Sequence, residues 1–262
     1  MTTPHRFIDT HCHFDFDVFK RDFTQQLNRA KNAGVETIVV PSIGEKNWSR
    51  VELLAEQYPE IYYALGCHPF FIDQHSDDVI RLLNDKLMVR NHRCVAIGEC
   101  GLDKIAAKNE TQWQQQLFLF NAHCSLATTY QLPLIVHSRK THSEILSILK
   151  KHHLPENGVI HGFSGSYQQA MQFVELGFSI GVGGTITYPR ANKTRMAISQ
   201  LPLNSLVLET DAPDMPIHGR QGETNHPQYM NEIFECLCQL RNEDTQTIAS
   251  AIVENSNSLF GF

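Results

Sequence analysis

The sequence predicts a (β/α)₈ barrel folded as a single domain over residues 1–262. Three observations carry that expectation. Eight short apolar runs recur along the chain, each followed by a segment of helical period or a crossover. The runs are rich in β-branched residues and do not alternate in polarity, as parallel strands covered on both faces do not. No low-complexity linker or long charge block interrupts the 262 residues, a length that one barrel commonly fills. An open doubly wound sheet competes with this reading, but the first strand–helix turn lacks G-x-G-x-x-G.

"RFIDTH" opens the series, and behind it Phe19, Phe23, Leu27 and Ala30 recur at three-to-four spacing, with Gly34 as a helix stop. "ETIVVPS", "IYYALGCH" and "CVAIGEC" supply the second to fourth strands. "LPLIVHS" is the fifth, and Thr141 with Glu144 forms a capping-box pattern before "ILSILKK". After the sixth run, "NGVIHGF", Ser166 is placed to cap the helix "YQQAMQFVELG", which ends at Gly177. "FSIGVGG" and "SLVLETD" complete the set, and "NHPQYMNEIFECLCQL" reads as a late outer helix.

Composition narrows the class. No run approaches the roughly 18 apolar residues of a membrane span, and no basic-then-apolar signal opens the chain. A cytoplasmic location is expected. The seven cysteines form no C-x-x-C, so neither a zinc knuckle nor a disulfide framework is indicated, and reduced, buried thiols are expected. A formal charge of −6 argues against a protein that coats nucleic acid nonspecifically. It leaves room for an enzyme that grips a few phosphates locally.

The fourteen histidines matter by their placement. Aligned at their C-terminal ends, the runs finish in His11 and His13, His68, Glu99, His137, His161 and Asp211. In a barrel those ends converge on one mouth, where active sites of this fold sit. A lone strand histidine is more often a hydrogen-bonded core residue, and a lone carboxylate an ion-pair partner or helix cap. Their coincidence at separate strand ends points instead to a metal site built from His11, His13, Glu99, His137, His161 and Asp211. Imidazole mixed with carboxylate suits Zn²⁺, Mn²⁺, Ni²⁺ or Fe²⁺. Six ligands exceed one tetrahedral zinc, so two ions sharing a carboxylate are expected, and with them hydrolysis.

These stretches together resemble the TatD family of metal-dependent hydrolases, within the wider amidohydrolase-like barrel group. "FIDTHCHFD" resembles its D-x-H-x-H signature, "LPLIVHSR" its P-x-x-x-H-x-R, and "LVLETDAP" its E-T-D-x-P. "AIGECGLD" and "VIHGFSGS" match in order and rough spacing, so the likeness spans almost the whole chain. The resemblance implies one metal held by His11, His13, Glu99 and Asp211, and a second by Glu99, His137 and His161, with Glu99 as the bridge. It implies that Asp211 orients the attacking hydroxide or takes its proton. Family members are typically Mg²⁺-, Mn²⁺- or Zn²⁺-dependent nucleases that remove nucleotides from DNA or RNA ends, so two divalent ions (Zn, Mn, Mg or Ni) and a nucleic acid end or similar phosphodiester are the expected cofactors and partner. No membrane and no obligate protein partner are expected.

Three departures from the family pattern lie around the presumed pocket. "GCHPFF" keeps His68 but has Phe70 where relatives often have a second histidine; Gly162 stands in H-G-F-S-G; and Lys104 ends "GLDK". They bear on substrate choice rather than on the metal set. Arg139, two residues past His137, is a candidate phosphate contact, and His68 a candidate to protonate a leaving oxygen or bind phosphate. "GVGGT" at 181–185 reads as a backbone phosphate cradle or as close packing of small residues, and Arg190, Lys193 and Arg195 as an entrance or as solvated surface. Phe70, Phe71, Phe163 and Tyr188 are candidates to flank a base.

The expected function is a two-metal phosphodiesterase, an exonuclease acting on DNA. The alternatives are hydrolysis of a C–N or lactone bond in a small molecule, and a metal-dependent binding protein without turnover; the retained Asp211 argues against the last. Within "FIDTHCHFD", strand alternation sends His11 and His13 into the mouth and Cys12 towards the helices. Asp9 then lies one layer lower, placed to support a ligating histidine or to pack in the core.

Overall fold

The computed structural model describes residues 5–262. Eight strands form one parallel sheet in chain order: β1 (Phe7–Asp9), β2 (Val35–Pro41), β3 (Ile61–Leu65), β4 (Cys94–Asp103), β5 (Leu134–Arg139), β6 (Gly158–Ile160), β7 (Ser179–Val182) and β8 (Leu206–Leu208). The last strand returns to the first, where Thr10 N–H donates to Leu208 O at 3.0 Å. The architecture is the (β/α)₈ barrel. Every residue of β4, β6 and β8 is buried, which is why β6, β8 and the first half of β4 read as apolar runs.

The helices are α1 (Asp17–Lys20), α2 (Phe23–Asn32), α3 (Trp48–Gln57), α4 (Val79–Met88), α5 (Glu110–Tyr130), α6 (His142–Leu149), α7 (Tyr167–Val174), α8 (Asn192–Gln200), α9 (Met230–Leu240) and α10 (Thr245–Phe260). The period begun at Phe19 is broken into α1 and α2 at Asp22, whose φ of 57° is left-handed. Gly34 closes the α2–β2 turn at φ +88°, where a Cβ would stand 2.2 Å from His5 O, so only glycine fits. Ser166 caps α7 as expected, through a capping box with Gln169, but α7 stops at Val174, before Gly177. The capping box at Thr141 does not form. Its hydroxyl donates instead to Leu102 O at 2.9 Å, tying α6 to the end of β4.

Contacts divide the chain into two compact units. The first comprises residues up to Val40, Gly162–Glu175 and Ser179–Phe262; the second comprises Pro41–His161 with Leu176–Phe178. In the second, α5 packs on β4 with Phe120, Cys124 and Ala127 fully buried. Burying a side chain such as Phe120 contributes on the order of 2 kcal/mol. All seven cysteines are free, five of them buried. Among the described residues, no helix is long and apolar enough to cross a membrane.

Candidate metal centre

In the first unit the site grows from the join between β1 and β8. The strand ends at Asp9, so His11 and His13 lie in the irregular segment beyond it, and strand alternation is not what orients them. Backbone bonds do that work: Asp211 N–H donates to His11 O at 2.9 Å and His13 N–H to Ala212 O at 2.8 Å. Asp9 ties the two segments together. Its carboxylate accepts from Thr210 N–H (2.9 Å), the Thr210 hydroxyl (2.5 Å) and His11 N–H (3.3 Å). Burial pushes this carboxyl up to about 7, against the pull of the three bonds it accepts.

His11 Nε2 and His13 Nε2 consequently stand 3.4 Å apart, at 3.5 and 3.9 Å from Asp211 Oδ1. Asp211 sits at φ +55°, a left-handed conformation that aspartate tolerates better than most residues. Cys12 is fully buried, with Sγ 3.5 Å from Ala212 O, and burial holds the thiol well above its ordinary range. It is therefore a packed thiol between two imidazoles rather than a third ligand.

The second unit converges on one carboxylate. Glu99 lies within β4 and His137 within β5, both short of their strand ends, while His161 directly follows β6. His68 stands three residues beyond β3, as the cap of the 3₁₀ turn Pro69–Gln74. Glu99 Oε1 receives His68 Nε2 at 2.9 Å, His137 Nδ1 at 3.1 Å and His161 Nε2 at 3.2 Å. Glu99 is 1% exposed, so these imidazoles meet it with almost no water to screen them.

Hydrogen bonds on the far sides of the rings decide what each can offer. His68 Nδ1 accepts Phe70 N–H at 3.0 Å, so the neutral ring carries its proton on Nε2 and donates toward Glu99. His137 turns Nε2 to Asp103 Oδ2 at 3.3 Å, which leaves Nδ1 as its face toward Glu99. Carboxylate behind imidazole is the arrangement that orients metal-ligating histidines. Burial alone would raise the Asp103 carboxyl. Hydrogen bonds from His137 and from Ala106 and Ile105 N–H outweigh it and hold the group below its usual value. Burial would lower His137, but its hydrogen bonds to Asp103 and Glu99 and the Glu99 charge outweigh it and raise the imidazole.

Both sets of donors fit divalent cations. Two imidazole nitrogens lie within 4 Å of the Asp211 carboxylate, and His137 Nδ1 and His161 Nε2 lie within 3.2 Å of Glu99, nitrogen and oxygen donors of the types that bind divalent cations.

Two carboxylates beside the candidate ligands were not singled out by the sequence. Asp103 was visible only as part of "GLDK". Glu209 is fully buried and accepts a hydrogen bond from Gly162 N–H. A Cβ on Gly181 would stand 2.4 Å from Glu209 Oε2, so the first glycine of "GVGGT" makes room for a carboxylate. Close approach, not a phosphate cradle, accounts for Gly181. The available signal was the spacing: Glu209 is two residues before Asp211 in "LETD".

The substrate candidates sort by exposure. Arg139 ends β5 exposed, two residues past His137. Arg195 bonds Ile186 O and Cys236 Sγ, while Arg190 lies over the Tyr188 ring. Of the four aromatics, Phe163 is buried, Tyr188 bonds Pro216 O, Phe71 is half-buried, and Phe70 is 59% exposed.

The chain is a metal-dependent hydrolase. Residues 8–261 match the family described as TatD related DNase. The chain is 51% identical over 255 residues to an uncharacterized metal-dependent hydrolase, YjjV, of Escherichia coli K12, covering 97% of this chain and 98% of that one. The crystal structure of that TatD homologue superposes with a TM-score of 0.96 at 50% identity, over 99% of this chain and 100% of the other. A protein of Pantoea sp. (strain At-9b) named 3'-5' ssDNA/RNA exonuclease TatD is 30% identical over 250 residues, 92% of this chain and 94% of its own. The chain belongs to the TatD family.

Proposed function

We propose that this chain is a two-metal phosphodiesterase that removes nucleotides from DNA ends. The observation that carries the reading is the convergence of three imidazoles on Glu99 Oε1, with His137 backed by Asp103. The Pantoea relative's name supports a nucleic acid substrate. His11, His13, Glu99 and Asp211 would hold one ion and Glu99, His137 and His161 the other, with Zn²⁺, Mn²⁺, Mg²⁺ and Ni²⁺ as the candidates. When bound, the ions supply a water of lowered pKa and polarise the phosphoryl oxygen.

Asp211 accepts the proton of the attacking water at its carboxylate. His68 offers its Nε2 proton to the departing oxygen, and its Nδ1 bond to Phe70 N–H keeps the proton on that side. Arg139 binds the non-bridging phosphate oxygens, its guanidinium matching two of them at once. This reading takes the chain as a cytoplasmic, single-domain enzyme with no obligate protein partner.

A second reading, hydrolysis of a C–N or lactone bond in a small molecule, is favoured by the exposed ring of Phe70 beside His68. End-labelled single-stranded DNA and RNA, together with a panel of esters, lactones and amides, separate the two. Release of mononucleotides from labelled ends is expected. Turnover confined to the small-molecule panel overturns the nuclease reading.

A further inference from the structure

We propose that Gln116 is the positioning residue that couples the two imidazoles flanking Glu99, His68 and His137. It rests on the preceding reading for the roles of those histidines, and concerns how they are held. Gln116 is fully buried on α5. Its Oε1 accepts Asp103 N–H at 2.8 Å, and its Nε2 donates to Pro69 O at 3.3 Å. A backbone N–H only donates and a carbonyl only accepts, so one orientation of the amide satisfies both.

Each backbone group belongs to a residue adjoining one imidazole, Asp103 by hydrogen bond and Pro69 by sequence. Asp103, besides the N–H that Gln116 holds, presents Oδ2 to His137 Nε2 at 3.3 Å, while its Oδ1 is fixed by Ile105 and Ala106 N–H at 2.8 and 2.9 Å. Pro69 follows His68, whose Nδ1 caps the same turn and whose Nε2 reaches Glu99 at 2.9 Å. The two rings are themselves 3.3 Å apart, Nε2 to Nδ1. A single buried amide therefore sets the distance between the backbone that orients His137 and the backbone that carries His68. One turn earlier, Gln112 joins the outer parts of the same loops, accepting Lys108 N–H at 2.7 Å and donating to Asp73 at 2.6 Å. Gln112 bonds neither Asp103 nor Pro69, the residues through which Gln116 is argued to act, which makes it the internal control.

The test uses the full chain, metal-free, with imidazole nitrogens labelled, and reads the ring N–H protons of His68 and His137 by NMR. In the native chain both rings show an Nε2–H proton protected from solvent exchange. Gln116→Met accelerates exchange of both at least tenfold and lowers kcat with KM unchanged. Gln116→Glu keeps the acceptor for Asp103 N–H but loses the donor to Pro69 O, so only the His68 proton is lost. Gln112→Met leaves both protons protected. Unchanged protection in Gln116→Met, or equal loss in Gln112→Met, overturns the proposal. A native His137 whose only ring proton sits on Nδ1 overturns it without any variant. A chain that cleaves no nucleic acid changes none of the NMR outcomes, so this inference and the nuclease reading fail separately.

Discussion

The carboxylate of Asp103 faces Nε2 of His137 across 3.3 Å, leaving Nδ1 3.1 Å from Glu99. The ring is thereby committed to one face before any cation arrives. Asp103→Asn keeps the size of the side chain but replaces a charged acceptor with an amide that also donates, so the ring loses its reason to hold Nε2–H on that side. Metal affinity at the Glu99 cluster is expected to fall roughly 10- to 100-fold with the fold intact. Competition against a chelating dye, with circular dichroism as the folding check, measures it. Unaltered affinity in a folded variant removes Asp103 from the site.

Glu209 and Gly181 test each other. A methyl at position 181 would lie 2.4 Å from Glu209 Oε2, and the carboxylate is pinned by Gly162 N–H. Gly181→Ala is expected to destabilise the chain by about 1–3 kcal/mol through overpacking. In a Glu209→Ala background the obstruction is gone, so the same substitution should cost well under half as much. Urea unfolding of the four chains closes the cycle. Strict additivity would mean that the clash is not what position 181 forbids.

Chelation and substitution separate the ions' contribution from that of Asp211. Excess chelator should abolish turnover and a divalent cation restore it; full activity in chelator would end the metal mechanism. Asp211→Asn should retain the fold while lowering kcat by roughly 10²- to 10⁴-fold, the size usual for a lost proton acceptor. A variant within twofold of the native rate would strip Asp211 of that role.

The barrel was legible because buried parallel strands leave a signature that needs no partner to be recognised: β4 opens on Cys-Val-Ala-Ile and β5 on Leu-Ile-Val, short apolar runs buried on both faces. Ligand candidates were legible because His11, Glu99, His137 and Asp211 each fall in or just after an apolar run, although the strands themselves end at different distances from them. The supporting groups were not. Asp103, Gln116 and Glu209 act through contacts with residues 13 to 47 positions away, and nothing local distinguishes them from a surface acid or amide. Thr141 shows the converse. Its capping-box pattern was locally sound, yet Leu102 O took the hydroxyl.

His123 makes the turn before His68 sensitive to acid. It is fully buried on α5, with Nε2 accepting Cys67 N–H at 3.0 Å and Nδ1 donating to Leu119 O at 2.6 Å. A second ring proton would meet the Cys67 N–H head on, donor against donor. Burial accordingly lowers this imidazole from 6.5 to about 4. The unfolded chain takes up the proton near pH 6.5 and the folded chain near 4, so the stabilisation is complete above 6.5 and is lost as pH falls through that window. At about 1.4 kcal/mol per unit, the loss comes to roughly 3 kcal/mol. His123→Gln retains an acceptor for Cys67 N–H but does not titrate, so the stability gap between native and variant chains should shrink by that amount from pH 6.5 to 4. Urea unfolding of the metal-free proteins at half-unit intervals measures the gap. A gap that stays constant across the window would show that His123 is not held neutral, and would remove the acid sensitivity assigned to the turn that carries His68.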